Sequence, residues 1–364
     1  MSATTPTPIS PRAAHLVGST PFRDADEALD IMFDRLGSHL LTVPDGETGS
    51  RQQWIQGLLD SFQDHPDLEP AKPGDWSDYD RTPTVRVRRG HDFSSERLDL
   101  GYLRHFEESW PVYQARRGAV NGALRPELRF QVGVPGDLDL AAFTFGNPLV
   151  ALRHRSAFRN ATLRDVRAIH ARVGDEVVYQ LEIPFELIVL TKLPGPLVGP
   201  AAAFFARGIT RLVRGAPAGT RWGIHVCLGD MNHRAMGRLD DVHRIVALSN
   251  AIVDRWPAGR HLDFMHVPLA AAAEPPPADL AFYEPLRDVH LPASTRFVGG
   301  FVHEERTLTE QCALLLELDR LIGRPVDVAC SCGLGRRDTE VALAVIDRTA
   351  ELCGAGSDLT TPGR

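Results

Sequence analysis

The chain has 364 residues, of which 43% are hydrophobic and 24% are charged, and its formal net charge is −7. This composition is ordinary for a globular protein, and the negative charge argues against a nucleic acid or an anionic membrane as partner. No apolar stretch reaches the roughly 20 residues that a membrane-spanning helix needs. Five scattered cysteines are too few for a disulfide framework. We therefore expect a reduced, cytoplasmic protein whose thiols are free to bind metal.

Eight apolar segments are predicted as strands, and most of them alternate with segments of helical periodicity. The predicted strands are 14–19, 39–43, 130–134, 177–183, 222–230, 262–267, 297–302 and 326–330. The main predicted helices are 24–36, 52–62, 98–119, 160–173, a helix ending near 212, 238–256, 307–322 and 338–352. This alternation predicts an α/β fold, namely a single-domain (β/α)8 TIM barrel formed by residues 13–353.

Polar and proline-rich stretches lie at both ends of the predicted barrel and inside it. Residues 1–12 have no basic segment followed by an apolar core, so we expect a disordered tail and not a signal peptide. Residues 354–364 are predicted to form a second polar tail. The loops are predicted to carry insertions, which are suited to closing over a bound substrate. These insertions lie near 64–93, 192–200 and 270–279.

The fifth predicted strand ends in a histidine and a cysteine that are two residues apart. Alternate residues of a strand point to the same side, so His225 and Cys227 would present a ring nitrogen and a sulfur to the same space. The last predicted strand is followed by Cys332 and Gly333. Active sites of barrels form where the carboxyl ends of the strands meet, so we expect Cys332 to join the other two side chains. Thiolate and imidazole are ligands that zinc prefers, and three of them predict a site with one exchangeable position.

Further polar side chains lie at or just after predicted strand ends, where a barrel would bring them to one face. They are Asp45, Glu47, Glu182, His266 and His303. A structural interpretation remains open for each, such as an internal salt bridge or a charge at a helix N-terminus. The pair Cys330 and Cys332 also allows a structural metal site or an oxidisable pair, whereas Cys312 and Cys353 are predicted core residues of helices.

Four stretches carry a resemblance to a known family. They are His15–Ser19, Asp45–Glu47 with Arg51, His225–Cys227 and Cys332–Arg336. In this order they resemble the Ile-Gly-Ser, Gly-Glu…Arg, His-x-Cys and Cys-Gly-Leu-x-x-Arg motifs of the C-terminal catalytic barrel of cobalamin-independent methionine synthase. That family includes single-domain relatives and belongs to the superfamily of uroporphyrinogen decarboxylase. The resemblance extends from about His15 to Cys353, and its specific part is the combination of the last two motifs.

This resemblance implies a zinc-dependent transferase that moves a methyl or other alkyl group from a small-molecule donor to a small-molecule thiol. The implied zinc ligands are His225, Cys227 and Cys332. The family places residues for proton transfer after strand seven, which implies this role for His303. We take His266 as the other candidate for proton transfer.

The resemblance also implies a substrate site in which acidic side chains face the amine-bearing end of the thiol. The implied substrate-binding residues are Ser19, Asp45, Glu47, Arg51 and Glu182. Among these, Glu47 and Glu182 would contact the amine.

Two departures from the family pattern widen the choice of reaction. Methionine synthase has a glutamate zinc ligand at the end of strand six, where this chain has His266. This histidine could replace the glutamate, face the substrate or leave the fourth position to water. The stretch Gln180–Pro184 keeps only part of the family's Gln-x-Asp-Glu-Pro pattern, and the folate-binding N-terminal half of long methionine synthases lies outside the resemblance. An epoxide or a methylated small molecule therefore fits as alkyl donor at least as well as methyl-folate.

Two other hypotheses keep the barrel but change its role. The first is a metal-independent lyase or decarboxylase that holds substrate carboxylates with Arg51, Arg336 or Arg337. The second is a non-catalytic protein whose zinc is structural, with four protein ligands and no cavity beside them. The sequence leaves the oligomeric state open, a homodimer included.

Overall fold

The structure, a computed structural model, describes residues 12–53, 55–119 and 124–358. Residues 1–11 of the predicted tail 1–12 and residues 359–364 of the predicted tail 354–364 lie outside the described residues. The strands of the described chain are β1 (Ala14–His15), β2 (Thr42–Val43), β3 (Leu68–Lys72), β4 (Thr84–Val87), β5 (Arg129–Pro135), β6 (Val177–Glu182), β7 (Arg221–His225), β8 (His261–Pro268), β9 (Arg296–Val302) and β10 (Asp327–Cys330).

Eight of these strands form one parallel sheet in the order β1-β10-β9-β8-β7-β6-β5-β2. An isolated parallel bridge between Ala14 and Leu40 links the two ends of this order. The sheet is thereby nearly closed on itself, which confirms the predicted (β/α)8 barrel. Antiparallel β3 and β4 form a separate hairpin outside it.

Helices cover the outside of the barrel. They are α1 (Ala25–Leu36), α2 (Gln56–Ser61), α3 (Tyr102–Ala119), α4 (Asp137–Phe145), α5 (Pro148–Val173), α6 (Pro184–Lys192), α7 (Gly195–Gly215), α8 (His243–Val253), α9 (Leu308–Ile322) and α10 (Thr339–Asp358). The capping box of Thr307 and Glu310 at the start of α9 forms with both of its hydrogen bonds. None of the described helices is both long enough and apolar enough to cross a membrane.

The segment 192–200 differs from our expectation of an insertion. Helix α6 ends at Lys192, and α7 already begins at Gly195. Its prolines indicated a loop, but proline is well tolerated in the first turn of a helix, where Pro196 lies. Pro200 lies one turn further inside α7.

Two helix boundaries also differ from the prediction. Helix α5 begins at Pro148, well before the predicted start at 160, and the side chain of Asn147 caps it by accepting hydrogen bonds from the first turn. Residues 354–358, which we predicted as part of the tail, continue α10.

The barrel interior is filled in layers from its amino-terminal to its carboxyl-terminal end. A buried apolar layer is formed by Val178, Phe264, Val298 and Ala329. Above it lies a polar layer in which Gln180 Oε1 accepts a hydrogen bond from His15 Nε2 at 3.0 Å and Gln180 Nε2 donates one to the Val17 carbonyl at 2.6 Å. Polar groups buried inside a barrel need such partners, and this layer supports the mouth where the candidate site lies.

Gly223 on β7 provides a test of this interior packing. A Cβ added at Gly223 would overlap the ring of Phe264 in the apolar layer. We expect Gly223→Ala to lower the free energy of unfolding by about 3 kcal/mol, because overpacking forces the barrel strands apart. Chemical denaturation measures this change. Gly118→Ala on α3 is the control, since nothing lies within 4 Å of its added Cβ. An equal loss of stability in Gly118→Ala would contradict an overpacked barrel interior at Gly223.

Candidate metal centre

His225, Cys227 and Cys332 converge at the carboxyl-terminal mouth of the barrel. Their ligand atoms all lie within 4.8 Å of one another. The two sulfurs are 3.7 Å apart, and His225 Nε2 lies 4.0 Å from Cys332 Sγ. Two thiolates on a tetrahedral zinc with bonds of about 2.3 Å are separated by about 3.8 Å. The three predicted ligands therefore form a group with the dimensions of a zinc site.

Hydrogen bonds fix the tautomer of the His225 ring. His266 Nε2 lies 2.8 Å from the carbonyl oxygen of Cys330, which can only accept, so this nitrogen donates. His266 is buried, and burial lowers its pKa to about 4, so its Nδ1 is unprotonated and accepts from His225 Nδ1 at 2.7 Å. The lone pair of His225 Nε2 is thus left free to face Cys332, as a metal ligand requires.

The two thiols are joined by a hydrogen bond. The hydrogen bond from Cys227 lowers the pKa of Cys332 to about 7, and the same hydrogen bond raises the pKa of Cys227. Arg336 Nη2 donates to Cys332 Sγ at 3.1 Å and to Asp230 Oδ2 at 3.1 Å. The buried guanidinium therefore stabilises a thiolate on Cys332, and a thiolate is the form that binds metal.

A small cavity of about 80 Å³ adjoins the three ligands, and we call it the metal-site cavity. Its remaining wall is largely apolar. That wall includes Val17, Ile55, Leu59, Trp76, Phe143, Ile188 and Met231. The site thus has a set of ligands on one side and space for a small molecule on the other.

The β3–β4 hairpin, inside the predicted insertion 64–93, covers this cavity. Tyr79 Oη accepts from the Met231 amide at 2.9 Å and donates to the Arg234 carbonyl at 2.8 Å. Asn232 Nδ2 donates to the Trp76 carbonyl at 2.8 Å. The hairpin is therefore fastened to the loop that follows β7, directly beside the ligands His225 and Cys227.

Glu47 and Glu182 lie together in the mouth of the barrel. A Cβ added at Gly133 would lie 2.6 Å from Glu47 Oε1 and 3.1 Å from Glu182 Oε1. Burial raises the pKa of Glu47 to about 7, and burial together with the neighbouring Glu47 raises that of Glu182. Both side chains line the metal-site cavity. Two carboxyls that share a confined space are suited to receiving a cation.

The backbone of Glu47 holds a left-handed conformation, with φ of 40°. Asp45 Oδ1 accepts from the Glu47 amide at 2.9 Å and stabilises this conformation. Residues held in such regions typically cost about 1–3 kcal/mol and cluster at active sites.

The other predicted substrate-binding residues are engaged with protein groups. Asp45 accepts two hydrogen bonds from Arg51, with a shortest distance of 2.7 Å. Ser19 Oγ accepts from Arg336 Nη1 at 2.8 Å and lines the metal-site cavity. Asp45 and Arg51 border a different cavity, so the structure places them behind Glu47 and not beside the ligands.

The two histidines predicted as proton donors do not line the metal-site cavity. His266 lies behind His225. His303 is buried, and its ring bonds the Ala272 carbonyl at 3.0 Å and the Glu305 amide at 3.1 Å. Both rings have their nitrogens occupied by protein groups, so the geometry favours a positioning role for His266 and a structural role for His303.

Sequence reasoning missed Asp230 and Tyr79. The carboxylate of Asp230 is buried and pairs with Arg336, and Tyr79 closes the cavity from the hairpin. Asp230 directly follows Gly229 at the turn after the His-x-Cys strand, and that position was a usable signal. Tyr79 lies far away in a polar insertion, where no local pattern indicated a contact with the site.

The fold and the site together define a (β/α)8 barrel with a candidate His/Cys/Cys metal centre at its carboxyl-terminal face. No family model and no curated protein sequence matches the chain.

Solved structures do resemble it. A B12-independent methionine synthase from Shewanella sp. W3-18-1, in complex with selenomethionine, has a TM-score of 0.64 at 11% identity and covers 96% of this chain and 99% of its own. A protein from Listeria monocytogenes assigned as a vitamin B12-independent methionine synthase has a TM-score of 0.59 at 12% identity. The match covers 98% of this chain and 100% of the Listeria protein. A methyltransferase from Methanosarcina mazei has a TM-score of 0.51 at 12% identity. The match covers 97% of this chain and 95% of the methyltransferase. At these identities the likeness shows the shared fold.

A second buried acid pair, Asp139 and Glu186, lies at the starts of α4 and α6 and predicts a pH dependence of stability. Burial raises the pKa of Glu186 from 4.5 to about 7. Between these two values the unfolded chain loses a proton that the folded chain keeps, so stability falls as pH rises. The loss is on the order of 3 kcal/mol at about 1.4 kcal/mol per pKa unit.

Denaturation curves of wild type and Glu186→Gln at pH 4.5 and pH 7.5 measure this effect. We expect the wild type to lose stability relative to the variant over this window. The exposed Glu340→Gln is the control and should follow the wild type at both pH values. An equal change in the stability of wild type and Glu186→Gln between the two pH values would contradict the raised pKa of Glu186.

Proposed function

We propose that this protein is a zinc-dependent transferase that moves a methyl or other alkyl group from a small-molecule donor to a small-molecule thiol. The observation that carries the proposal is the convergence of two sulfurs, 3.7 Å apart, and a correctly oriented imidazole beside a cavity. The likeness in fold to proteins described as methionine synthases and a methyltransferase agrees with this reaction class.

The donor set fits zinc. His225, Cys227 and Cys332 provide one nitrogen and two sulfurs, and Cys332 already has a pKa near neutrality. When bound, zinc would lower the pKa of an acceptor thiol while leaving its sulfur nucleophilic. His266 would hold the His225 ring in the orientation that directs Nε2 towards the two sulfurs.

The carboxyls of Glu47 and Glu182 would orient the acceptor. We propose an amino-acid-like thiol whose ammonium group lies between them. A cation there would offset the electrostatic repulsion between the two neighbouring carboxylates. The thiol sulfur forms the new bond to the alkyl carbon, and the leaving group of the donor departs with the electron pair of the broken bond. The proton lost by the thiol balances the charge of that leaving group.

The hairpin would exclude water during the reaction. Tyr79 and Trp76 cover the cavity and are held by hydrogen bonds to the loop after β7. Water exclusion strengthens the interactions of the buried charges and protects a reactive alkyl donor from hydrolysis. We keep the cytoplasm as the proposed compartment, since all five cysteines are free thiols.

Two observations favour this proposal over the other hypotheses. Among the described residues the metal cluster has three protein ligands and adjoins a cavity, whereas a structural zinc is typically closed by four. The arginines that a lyase would use are already paired with acids: Arg51 with Asp45, Arg336 with Asp230, and Arg337 with Glu304.

A thermal-shift series tests the proposal. Zinc-loaded protein is heated with L-homocysteine, L-cysteine, 3-mercaptopropionate or L-methionine, with and without prior removal of metal by a chelator. We expect an amine-bearing thiol to raise Tm only in the metal-loaded protein, while L-methionine, which has no thiol, gives a smaller shift. Equal shifts before and after metal removal would contradict a zinc-dependent thiol site.

A further inference from the structure

A second and larger cavity lies between β5 and helices α2 and α3, and we call it the side cavity. Its volume is about 480 Å³, compared with about 80 Å³ for the metal-site cavity. Sites for small organic ligands typically measure about 300–1,000 Å³. The side cavity therefore has the size of a ligand site, whereas the metal-site cavity has too little volume for two substrates.

The side cavity meets the metal-site cavity at Glu47. The side chains of Glu47 and Ile55 line both spaces, while none of the three metal ligands lines the side cavity. A molecule that fills the side cavity would thus reach Glu47 without contacting the three candidate metal ligands.

Much of the wall of the side cavity is apolar. Aromatic and aliphatic side chains from β5, α2, α3 and the adjoining loops supply it. They are Ile55, Leu58, Phe62, Leu100, Phe106, Phe130 and Val132. Such a wall is suited to the apolar body of an organic ligand and not to a free ion.

A buried donor without a partner points to a ligand with an acceptor group. Tyr102 lines the side cavity and is 9% exposed, and its hydroxyl is buried without a hydrogen-bond partner among the described residues. A buried hydroxyl that makes no hydrogen bond costs about 1–3 kcal/mol. A ligand oxygen beside Tyr102 would satisfy it.

Two arginines, each paired with one carboxylate, line the rim of the side cavity. Arg97 and Arg104 line the cavity with half-exposed side chains, and among the described residues each side chain makes a single hydrogen bond, to Asp67 and Asp99 respectively. A guanidinium has five N–H donors, so most of their donors are left for a ligand. Arg51, by contrast, uses two of its nitrogens on Asp45.

We propose that the side cavity binds the alkyl donor, and that this donor is an amphipathic anion. Its apolar body would pack against the wall, its carboxylate or phosphate would bind Arg97 and Arg104, and an oxygen would accept from Tyr102. Its alkyl-bearing end would point past Glu47 towards the acceptor. The assignment as a donor site rests on the proposed transferase function, whereas the binding of an amphipathic anion is a property that can be measured alone.

Calorimetric titration of the full chain tests the binding with three probes that share one apolar body: 2-naphthoate, 2-naphthyl phosphate and the neutral 2-naphthalenemethanol. We expect at least one anion to bind at least about 10-fold more tightly than the alcohol, since Arg97 and Arg104 offer it charged N–H donors. The two anions distinguish a carboxylate from a phosphate. Tyr102→Phe should weaken the better anion about 5- to 10-fold without lowering the stability of the free protein, because the lost hydroxyl has no partner.

Tyr113→Phe is the matched control. Tyr113 lies on the same helix, bonds the Leu128 carbonyl and does not line the cavity, so its variant should bind the anion as the wild type does. Val132→Trp should fill the cavity and abolish binding while leaving zinc content unchanged.

Equal affinity for the alcohol and both anions, or unchanged binding in Tyr102→Phe, would overturn the inference. Comparing anion binding with the zinc content and thiol binding of the same protein separates the two proposals. Anion binding that survives in a protein that never binds zinc would overturn the transferase function and the donor assignment while keeping the anion site. Zinc and thiol binding without anion binding would overturn the side-cavity site alone.

Discussion

Cys227→Ser and Cys332→Ser are each expected to lose zinc that the wild type holds at about one ion per chain. Each variant removes one of three ligands whose atoms lie within 4.8 Å of one another. Loss of an outer-shell partner alone typically weakens metal binding about 10- to 100-fold, and loss of a ligand should exceed 100-fold. Elemental analysis after dialysis against a weak chelator measures the effect.

Cys330→Ser is the matched control for these two variants. Cys330 lies two residues before Cys332, but its sulfur donates to the Val302 carbonyl at 3.1 Å and lies outside the metal cluster. A serine hydroxyl can keep that hydrogen bond, so the variant should hold zinc as the wild type does. Full zinc content in both Cys227→Ser and Cys332→Ser would show that the metal is held elsewhere.

Glu182→Gln is expected to weaken the binding of an amine-bearing thiol about 100-fold while leaving zinc content unchanged. The carboxyl groups of Glu182 and Glu47 both lie next to Gly133, and a cation bound between them would lose half of its counter-charge in the variant. Removing one partner of a buried ion pair typically costs about 3 kcal/mol, which corresponds to about 100-fold in affinity. Calorimetric titration of the zinc-loaded protein with L-homocysteine measures the change.

The same titration has an internal control in 3-mercaptopropionate, which has no amine and should bind wild type and Glu182→Gln alike. Glu186→Gln serves as the matched protein control, because Glu186 is a buried glutamate of the next helix that does not line the metal-site cavity. A Glu182→Gln protein that binds L-homocysteine as tightly as the wild type would remove the carboxyl pair from the acceptor site.

The strand pattern was sufficient to predict the barrel, because buried parallel strands are nearly continuous apolar runs. The first residue of a helix was harder to predict where that residue is a proline. Pro148 starts α5 and Pro184 starts α6, and neither helix start was predicted. The early turns of a helix have no internal acceptor for their amides, so proline fits there without loss.

The convergence of His225, Cys227 and Cys332 could be predicted because each lies at or just after a strand end, where the fold fixes the direction of the side chain. Roles that depend on the surroundings of a side chain could not be predicted. The resemblance left open whether His266 binds the metal or faces the substrate, but the two nitrogens of its ring bond the His225 ring and the Cys330 carbonyl. Likewise, only the three-dimensional arrangement shows that Arg336 reaches Cys332 and that Tyr79 closes the cavity.

The most direct test of the central claim is X-ray absorption at the zinc edge of the wild-type protein. We predict a spectrum with two sulfur ligands and one histidine nitrogen from the chain, in agreement with Cys227, Cys332 and His225. The same measurement on Cys332→Ser with excess zinc should show at most one sulfur. A wild-type spectrum with only nitrogen and oxygen ligands would contradict the claim that these three side chains hold the metal.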